Sequence, residues 1–330
     1  MTIERLSLLV ILLFASACGD RTPQLRITVA SGILEPFPVY LCQDLGLFRA
    51  EGITATIEAL PGGKGLEALM GGSADVRYNS ASEVVQAAVR GKRLKVFFVG
   101  QRTLSSLLVV STAKAGRIRS IEDLRGSVVG VAAFGGAQHM FLNFILEKHG
   151  LGAGDVQVIA HGSGSPAIAA LEHGKVDAGM INGSAFTALR GRAPGVRVLL
   201  DPRTLEATRS LIGSADYVNF ALLSTSDWIA RNPDTARRLA RAMKKTLAWI
   251  RERSAEEVLA KLPEHLRSAD AGADLESMRI ILGGMSEDGL MPPGGPEVLR
   301  RMLGVPIEKL REQGIELSQT YTNEFVPHGQ

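Results

Sequence analysis

Cysteine is nearly absent: the 330 residues contain two, Cys18 and Cys42. Structural zinc and iron–sulfur sites built from several thiolates are therefore excluded. The six histidines are dispersed, and no His-Glu-x-x-His pair sets two imidazoles on one helix face for a metal. A phosphate-binding loop is missing as well. Pro61 to Leu66 reads PGGKGL, without the Gly-x-x-x-x-Gly-Lys-Ser/Thr spacing. His161 to Pro166 reads HGSGSP, which invites a serine nucleophile but lacks the Gly-x-Ser-x-Gly frame of a nucleophile elbow. No apolar run reaches the roughly 20 residues that a helix needs to span a bilayer. Charge of one sign is lacking too, with a net +3 and scattered basic residues. The densest cluster, Arg237 to Lys245, is the solvated face of an amphipathic helix whose apolar side carries Leu239, Met243, Leu247 and Ile250. That pattern argues against a nucleic-acid surface.

What is present begins with an apolar run from Leu6 to Ala17. It is too short to span a membrane and reads as a signal-peptide core. Ala15-Ser16-Ala17-Cys18 resembles a bacterial lipobox, with Ala15 where such sites usually carry Leu. The resemblance implies a signal peptide over 1–17, lipidation of Cys18 and a lipidated linker over 18–24. Cys42, among apolar neighbours, then remains as a packed and inert thiol. Apolar content of 45% against a charged fraction of 22% describes a packed globular chain long enough for two lobes.

Strands and helices alternate through both halves. Leu25–Gly32, Thr54–Leu60, Asp75–Asn79 and Leu94–Gln101 read as strands, with helices between them. Phe37 to Ile53 reads as one helix stopped at Gly52. The unit then restarts with strands at Val128–Ala132, Val156–Gly164, Asp177–Asn182 and Arg197–Asp201. Pro233 opens a long helix, and the remainder is mostly helical. The alternation predicts mainly parallel sheets flanked by helices.

One pattern occurs twice. Ala68–Asp75 and Ala170–Asp177 both read Ala-Leu-x-x-Gly-x-x-Asp. Each is followed by a short strand and a corner of small polar residues. Asn79, Ser80 and Ser82 form the first corner, and Asn182, Gly183 and Ser184 the second. In open α/β sheets, ligands sit outside the carboxyl ends of strands, where helix N-termini collect. Two such corners, one in each lobe, predict a clamp.

Pro38–Ile53, Gly65–Val76, Ser120–Leu151 and Trp228–Ile250, in this order and spacing, carry a family likeness. The chain resembles the type II periplasmic-binding-protein-fold solute receptors of ABC importers, in the sulfonate/nitrate/thiamine-precursor group. The resemblance implies an α/β, two-lobed fold with two hinge crossovers. Lobe 1 is expected over 25–111 and 225–330, and lobe 2 over 112–224. The strands Ser105–Ser111 and Asn219–Ser224 are expected to cross between them. It also implies a monomeric, non-enzymatic receptor without cofactor or metal, tethered outside the cytoplasm by its lipid and serving membrane-bound permease subunits. Its ligand is expected to be a small anionic or aromatic solute.

Expected ligand contacts lie at strand ends and helix starts. In lobe 1 these are Ser31, Gly32, Pro38, Tyr40, Asn79, Ser80, Ser82, Gln101 and Arg102. In lobe 2 they are Phe134, Gly135, Gly136, Gln138, His161, Asn182 and Ser184, with Asn219 in the return crossover. Each has a plainer role open to it: the Asn and Ser residues as helix caps, the glycines as turns, His161 as a satisfied core histidine. Lys64 and Arg102 are the basic residues placed to meet an anion, and Glu35 favours a cationic or hydroxyl-bearing ligand. Two rivals remain open: a sensory receptor, and an enzyme on the same fold. Of the enzymes, the thiamine pyrimidine synthase carries a Cys-rich motif that two cysteines cannot supply.

Overall fold

The computed structural model describes residues 24–327, apart from 62, 153, 268 and 269. The expected signal peptide and Cys18 lie outside the described residues.

Among the described residues, ten strands form two five-stranded sheets. In chain order they are β1 (Gln24–Ala30), β2 (Thr54–Leu60), β3 (Val76–Ser80), β4 (Leu94–Val99), β5 (Ser106–Val110), β6 (Val128–Val131), β7 (Gln157–Ala160), β8 (Ala178–Asn182), β9 (Arg197–Leu200) and β10 (Phe220–Thr225). The first sheet is ordered β2-β1-β3-β10-β4 and the second β7-β6-β8-β5-β9. Within each, one strand opposes the other four: β10 pairs antiparallel with β3 and β4, and β5 with β8 and β9. Each lobe is thus a mainly parallel sheet flanked by helices. The strands are short and apolar because both faces are covered. Along β10, Phe220 and Leu222 pack on one side, while Ala221 and Leu223 pack on the other.

The two opposed strands are those expected to cross between lobes. Each lies inside one sheet, β5 in the second and β10 in the first. The chain therefore changes sheet in segment 100–105 and returns between β9 and β10. The two passages are tied together. Arg102 Nη2 donates to the Ala215 carbonyl at 2.8 Å, and Asn219 N donates to the Gln101 carbonyl at 2.9 Å.

The repeated octapeptide is a scaffold device. Its glycine, Gly72 or Gly174, takes φ of 77° or 66°, which ends the preceding helix. The backbone N–H two positions later returns to the first residue of the repeat, Ala74 to Ala68 O and Val176 to Ala170 O. The Asp then grips the start of the neighbouring strand by both its backbone and its side chain. Asp75 N donates to Arg26 O, and Asp75 Oδ2 accepts from Arg26 N at 2.9 Å. Asp177 does the same to Val128, with Oδ2 accepting from Val128 N at 2.9 Å. The same clamp sets β3 against β1 and β8 against β6.

The expected first helix is broken. Phe37–Asp44 and Leu47–Ala50 are separate helices because Gly46 sits at φ 71°, a conformation that ends one helix and re-aims the next. Cys42 is buried in the first of them, and burial pushes its thiol up to about 12. No described helix is long and apolar enough to cross a membrane.

Candidate functional site

A cavity of about 600 Å³ opens where the carboxyl ends of the two sheets meet. Lobe 1 contributes Ser31 after β1, Asn79 and Ser80 at the end of β3, and Ser82 at the following turn. Lobe 2 contributes the loop from Ala132 to Gln138 and Asn182 at the end of β8. Asn219 and Tyr217 line it from the return passage. The polar corners of the repeated pattern therefore face one space.

Each corner is built differently. In lobe 1, Asn79 Nδ2 donates to Glu83 Oε1 at 2.8 Å. Glu83 is itself gripped by Arg77, with Nε to Oε2 at 2.7 Å and Nη2 to Oε1 at 3.0 Å. Arg77 is fully buried, and its Nη1 has no partner among the described residues. Gly65 makes room for it, since a Cβ there would lie 1.7 Å from Nη1. Ser80 and Ser82 share a hydroxyl hydrogen bond of 2.9 Å. In lobe 2, Asn182 Oδ1 caps the helix Gly183–Arg192 by accepting from Ala185 N at 3.0 Å. Its Nδ2 reaches 3.5 Å from Gly32 O, a contact between the lobes.

The Gly135-Gly136 loop leads into the helix Ala137–Lys148, whose N-terminus has no side-chain cap. Gln138 holds this loop, accepting from Ala132 N at 2.9 Å and donating to Ser106 Oγ at 3.0 Å. Gly135 N donates to His139 Nδ1 at 2.9 Å. Phe134 stands at the cavity edge, 63% exposed, edge-on to His139. An apolar ring this open beside a polar cleft is a ready wall for an apolar ligand.

The remaining walls are largely apolar. Leu66 and Met70 come from the helix Lys64–Met70, and Leu299, Met302 and Leu303 from the C-terminal helix Gly295–Met302 and its end. That C-terminal helix packs against Glu83–Val89 of lobe 1 and Ala137–Lys148 of lobe 2. It roofs the cavity from outside the sheets. The basic side chains on the lining are Arg90 and Lys92, both exposed, at the far end of Glu83–Val89 from the polar corner. Lys64 and Arg102 do not line it.

Ten of the expected residues come together here: Ser31, Asn79, Ser80, Ser82, Phe134, Gly135, Gly136, Gln138, Asn182 and Asn219. The other seven lie off the cavity wall. Pro38 and Tyr40 are buried in the first helix, Tyr40 edge-on to His265. Gly32 offers its carbonyl to Asn182, and Arg102 ties the two passages. His161 lies across the sheet over Gly130 and Gly179, where added Cβ atoms would meet its ring at 2.1 and 3.1 Å. Its Nδ1 meets Gly162 O, its Nε2 has no described partner, and burial pushes its pKa down.

Gln101 and Ser184 line a second, smaller space beside the main one, with Glu35, Arg203 and Ser277. Arg203 is held by Asp201 through two contacts of 2.7 Å. Gln101 Oε1 and Ser277 Oγ are buried without partners among the described residues. Glu35 lines both spaces and is 4% exposed. Burial raises its carboxyl to about 7, against the opposing pull of backbone hydrogen bonds and the Arg203 charge.

The residues that sequence reading passed over are the roof helix, Gln86, Arg90 and Lys92. The roof helix carried a signal in its apolar spacing, Val298, Leu299 and Met302 on one side. Nothing local in the sequence says that this side covers a cleft.

Two sheets joined by two passages, with a cavity between their carboxyl ends, define a periplasmic-binding-protein-like fold. The comparisons agree and narrow it: residues 35–257 match the family described as NMT1/THI5 like, and the chain belongs to that family. A solved structure from Bordetella bronchiseptica RB50 is 26% identical, with a TM-score of 0.83 over 93% of this chain and 96% of that one. The periplasmic aliphatic sulphonate binding protein SsuA from Escherichia coli is similar over 90% of this chain and 91% of its own, at 20% identity and a TM-score of 0.68. The alkanesulfonate-binding protein SsuA from Xanthomonas axonopodis pv. citri, bound to MOPS, covers 91% and 98% at 18% identity and a TM-score of 0.66. No curated protein matches the chain.

Proposed function

We propose that the protein is an extracytoplasmic solute-binding receptor of an ABC-type importer. It captures a small organic solute between its lobes and delivers it to membrane-bound permease subunits. The observation that carries this reading is the cavity of about 600 Å³ with one polar corner from each lobe. Its size and mixed apolar and polar lining suit a small organic molecule. The kinship with solute-binding proteins of the same fold supports the reading. Export behind segment 1–17, tethering through lipidated Cys18 and action as a monomer belong to the same proposal.

Of the two ligand types that the resemblance implies, the aromatic one fits these walls. Leu66, Met70, Phe134 and Met302 supply apolar surface, whereas the cavity's cations, Arg90 and Lys92, stand at its exposed end. The reading is of binding without turnover. His161 is turned into the sheet, and the His139 Nδ1 accepts from Gly135 N, so neither imidazole is poised at the cavity as a base.

The test is a thermal-shift screen of the purified protein against aryl and alkyl solutes of either charge. A ligand at 100 times its Kd stabilises the folded state by about 2.7 kcal/mol. One chemical class raising the melting temperature, with the compound recovered unchanged, supports a receptor. Conversion of the bound compound refutes the assignment and makes the protein an enzyme.

A further inference from the structure

Resting on the receptor reading above, the hydrogen-bonding state of the inner wall narrows the ligand. Besides Gln86 on the following helix, two amides line the cavity on this side: Asn79 at the end of β3 and Asn219 in the return passage. Their orientation is fixed by what lies behind them. Asn79 Nδ2 donates to the Glu83 carboxylate, which Arg77 holds in place and which accepts only. Asn219 Nδ2 donates to the Thr103 carbonyl at 2.8 Å, another group that only accepts. Turning either amide over would set oxygen against oxygen. In both cases one N–H of the amide is engaged with protein, and the Oδ1, with no described donor, is open to a ligand.

The two residues are neighbours across the strand pair. Asn79 pairs with Ala221 across β3 and β10, and Asn219 lies two residues before Ala221 on the same face. Diagonal partners of this kind are about 7–8 Å apart, within the span of one head group and its substituents. Glu35 adds a carboxyl to the lining on the lobe 1 side. No lysine or arginine lines the cavity at this end. Arg90 lies beyond the far end of the helix Glu83–Val89, roughly 12 Å along its axis from Ser82 at 1.5 Å per residue.

We propose that this end of the cavity selects a ligand whose head donates hydrogen bonds, an ammonium, amidinium or aromatic amine, on an apolar body. A sulfonate or carboxylate head would place its oxygens against Asn79 Oδ1, Asn219 Oδ1 and Glu35, where the cation beside Glu35, Arg203, lines the adjoining space and is already held by Asp201. A donor head reverses each of these contacts. In this respect the protein departs from its sulfonate-binding structural neighbours while keeping their fold.

The experiment is calorimetric titration of the full protein at pH 8 with head-group pairs on one body: 4-phenylbutylamine and 4-phenylbutylamidine against 4-phenylbutanesulfonate and 4-phenylbutanoate. The expected result is that the donor-headed compounds bind about tenfold or more tightly than the anions. Glu35→Gln, which replaces an acceptor oxygen by an NH₂ without changing size, is expected to weaken the donor-headed compounds and narrow that gap. Tighter binding of the anions overturns this inference and leaves the receptor reading standing. Failure of all four compounds to bind at millimolar concentration overturns the receptor reading for such bodies, and the inference with it.

Discussion

Glu35 makes the stability of this protein depend on pH in a direction opposite to its ion-paired carboxylates Asp75 and Glu51. Its side chain is 4% exposed, and burial raises its pKa from the ordinary 4.5 to about 7. The charged groups that bear on it are few: Arg203 favours its ionised form, and its own charge pushes the Tyr78 phenol further up. Below the unfolded value of 4.5, Glu35 is protonated in both states and costs nothing. As the pH rises from there towards 7, the unfolded chain loses the proton while the folded protein keeps it, and stability falls. Above about 7 both forms are ionised and the loss is complete. At about 1.4 kcal/mol per pH unit, the full loss is about 3 kcal/mol. Glu35→Gln removes the ionisation with little change in volume. The assay is thermal unfolding of both proteins between pH 4 and pH 8. Carboxylates held low by partners, such as Asp75 beside Arg26 and Glu51 beside Arg241 and Lys245, lose their contribution as pH falls in both proteins and cancel in the difference. The variant is expected to match the wild type near pH 4 and to melt higher by about 6 °C at pH 8, at roughly 2 °C per kcal/mol. A difference that stays constant across this range refutes the reasoning, because it would show that Glu35 ionises alike in the folded and unfolded states.

Two further sets of substitutions probe the scaffold of the site. Glu83→Ala leaves Arg77 buried and uncompensated, and is expected to cost about 3–5 kcal/mol, read by denaturant unfolding. Adding Arg77→Met, which removes the stranded charge, is expected to restore most of that loss. Asp177→Ala removes the side-chain acceptor for Val128 N and is expected to cost about 1–3 kcal/mol. Asp75→Ala is expected to cost at least as much, since Asp75 takes the Arg26 guanidinium through two hydrogen bonds whereas Asp177 has the exposed Lys114 at 3.3 Å, and equal insensitivity of both positions would refute the clamp.

Much of the fold was legible because alternation of strands and helices is written locally. β2 spans the expected Thr54–Leu60, and the long helix spans Pro233–Arg251, close to the stretch that opens with Pro233. The break at Gly46 was less visible, because Leu45 and Leu47 continue the apolar pattern on either side of it. The polar corners were readable since Asn and Ser directly follow short apolar strands. What a sequence does not carry is the direction of a side chain at a strand end. Ser31 and His161 both end strands; Ser31 faces the cavity, while His161 lies back over Gly130 and Gly179. The missing Cβ atoms that admit the ring belong to two other strands, so the cause is remote in the chain. The roof helix is hidden for the same reason, since its apolar face is ordinary and only its partners from two lobes make it a wall.

The repeated octapeptide explains the likeness of the two lobes but not the selectivity of the space between them. In each copy the glycine stops a helix and the Asp fixes the next strand, so both lobes bring a strand end to the cleft. The residues that follow are free of that duty and differ. In lobe 1, the buried Arg77 and Glu83 take the amide NH₂ of Asn79 and leave its oxygen exposed to the cavity. In lobe 2, Asn182 turns its oxygen inward as a helix cap and its NH₂ outward, towards Gly32 of the other lobe. Asn79, four residues after its Asp, and Asn182, five after its own, thus present opposite ends, because one has a carboxylate behind it and the other a backbone N–H. The scaffold is duplicated, and the polarity of the cleft is decided by what stands behind each asparagine.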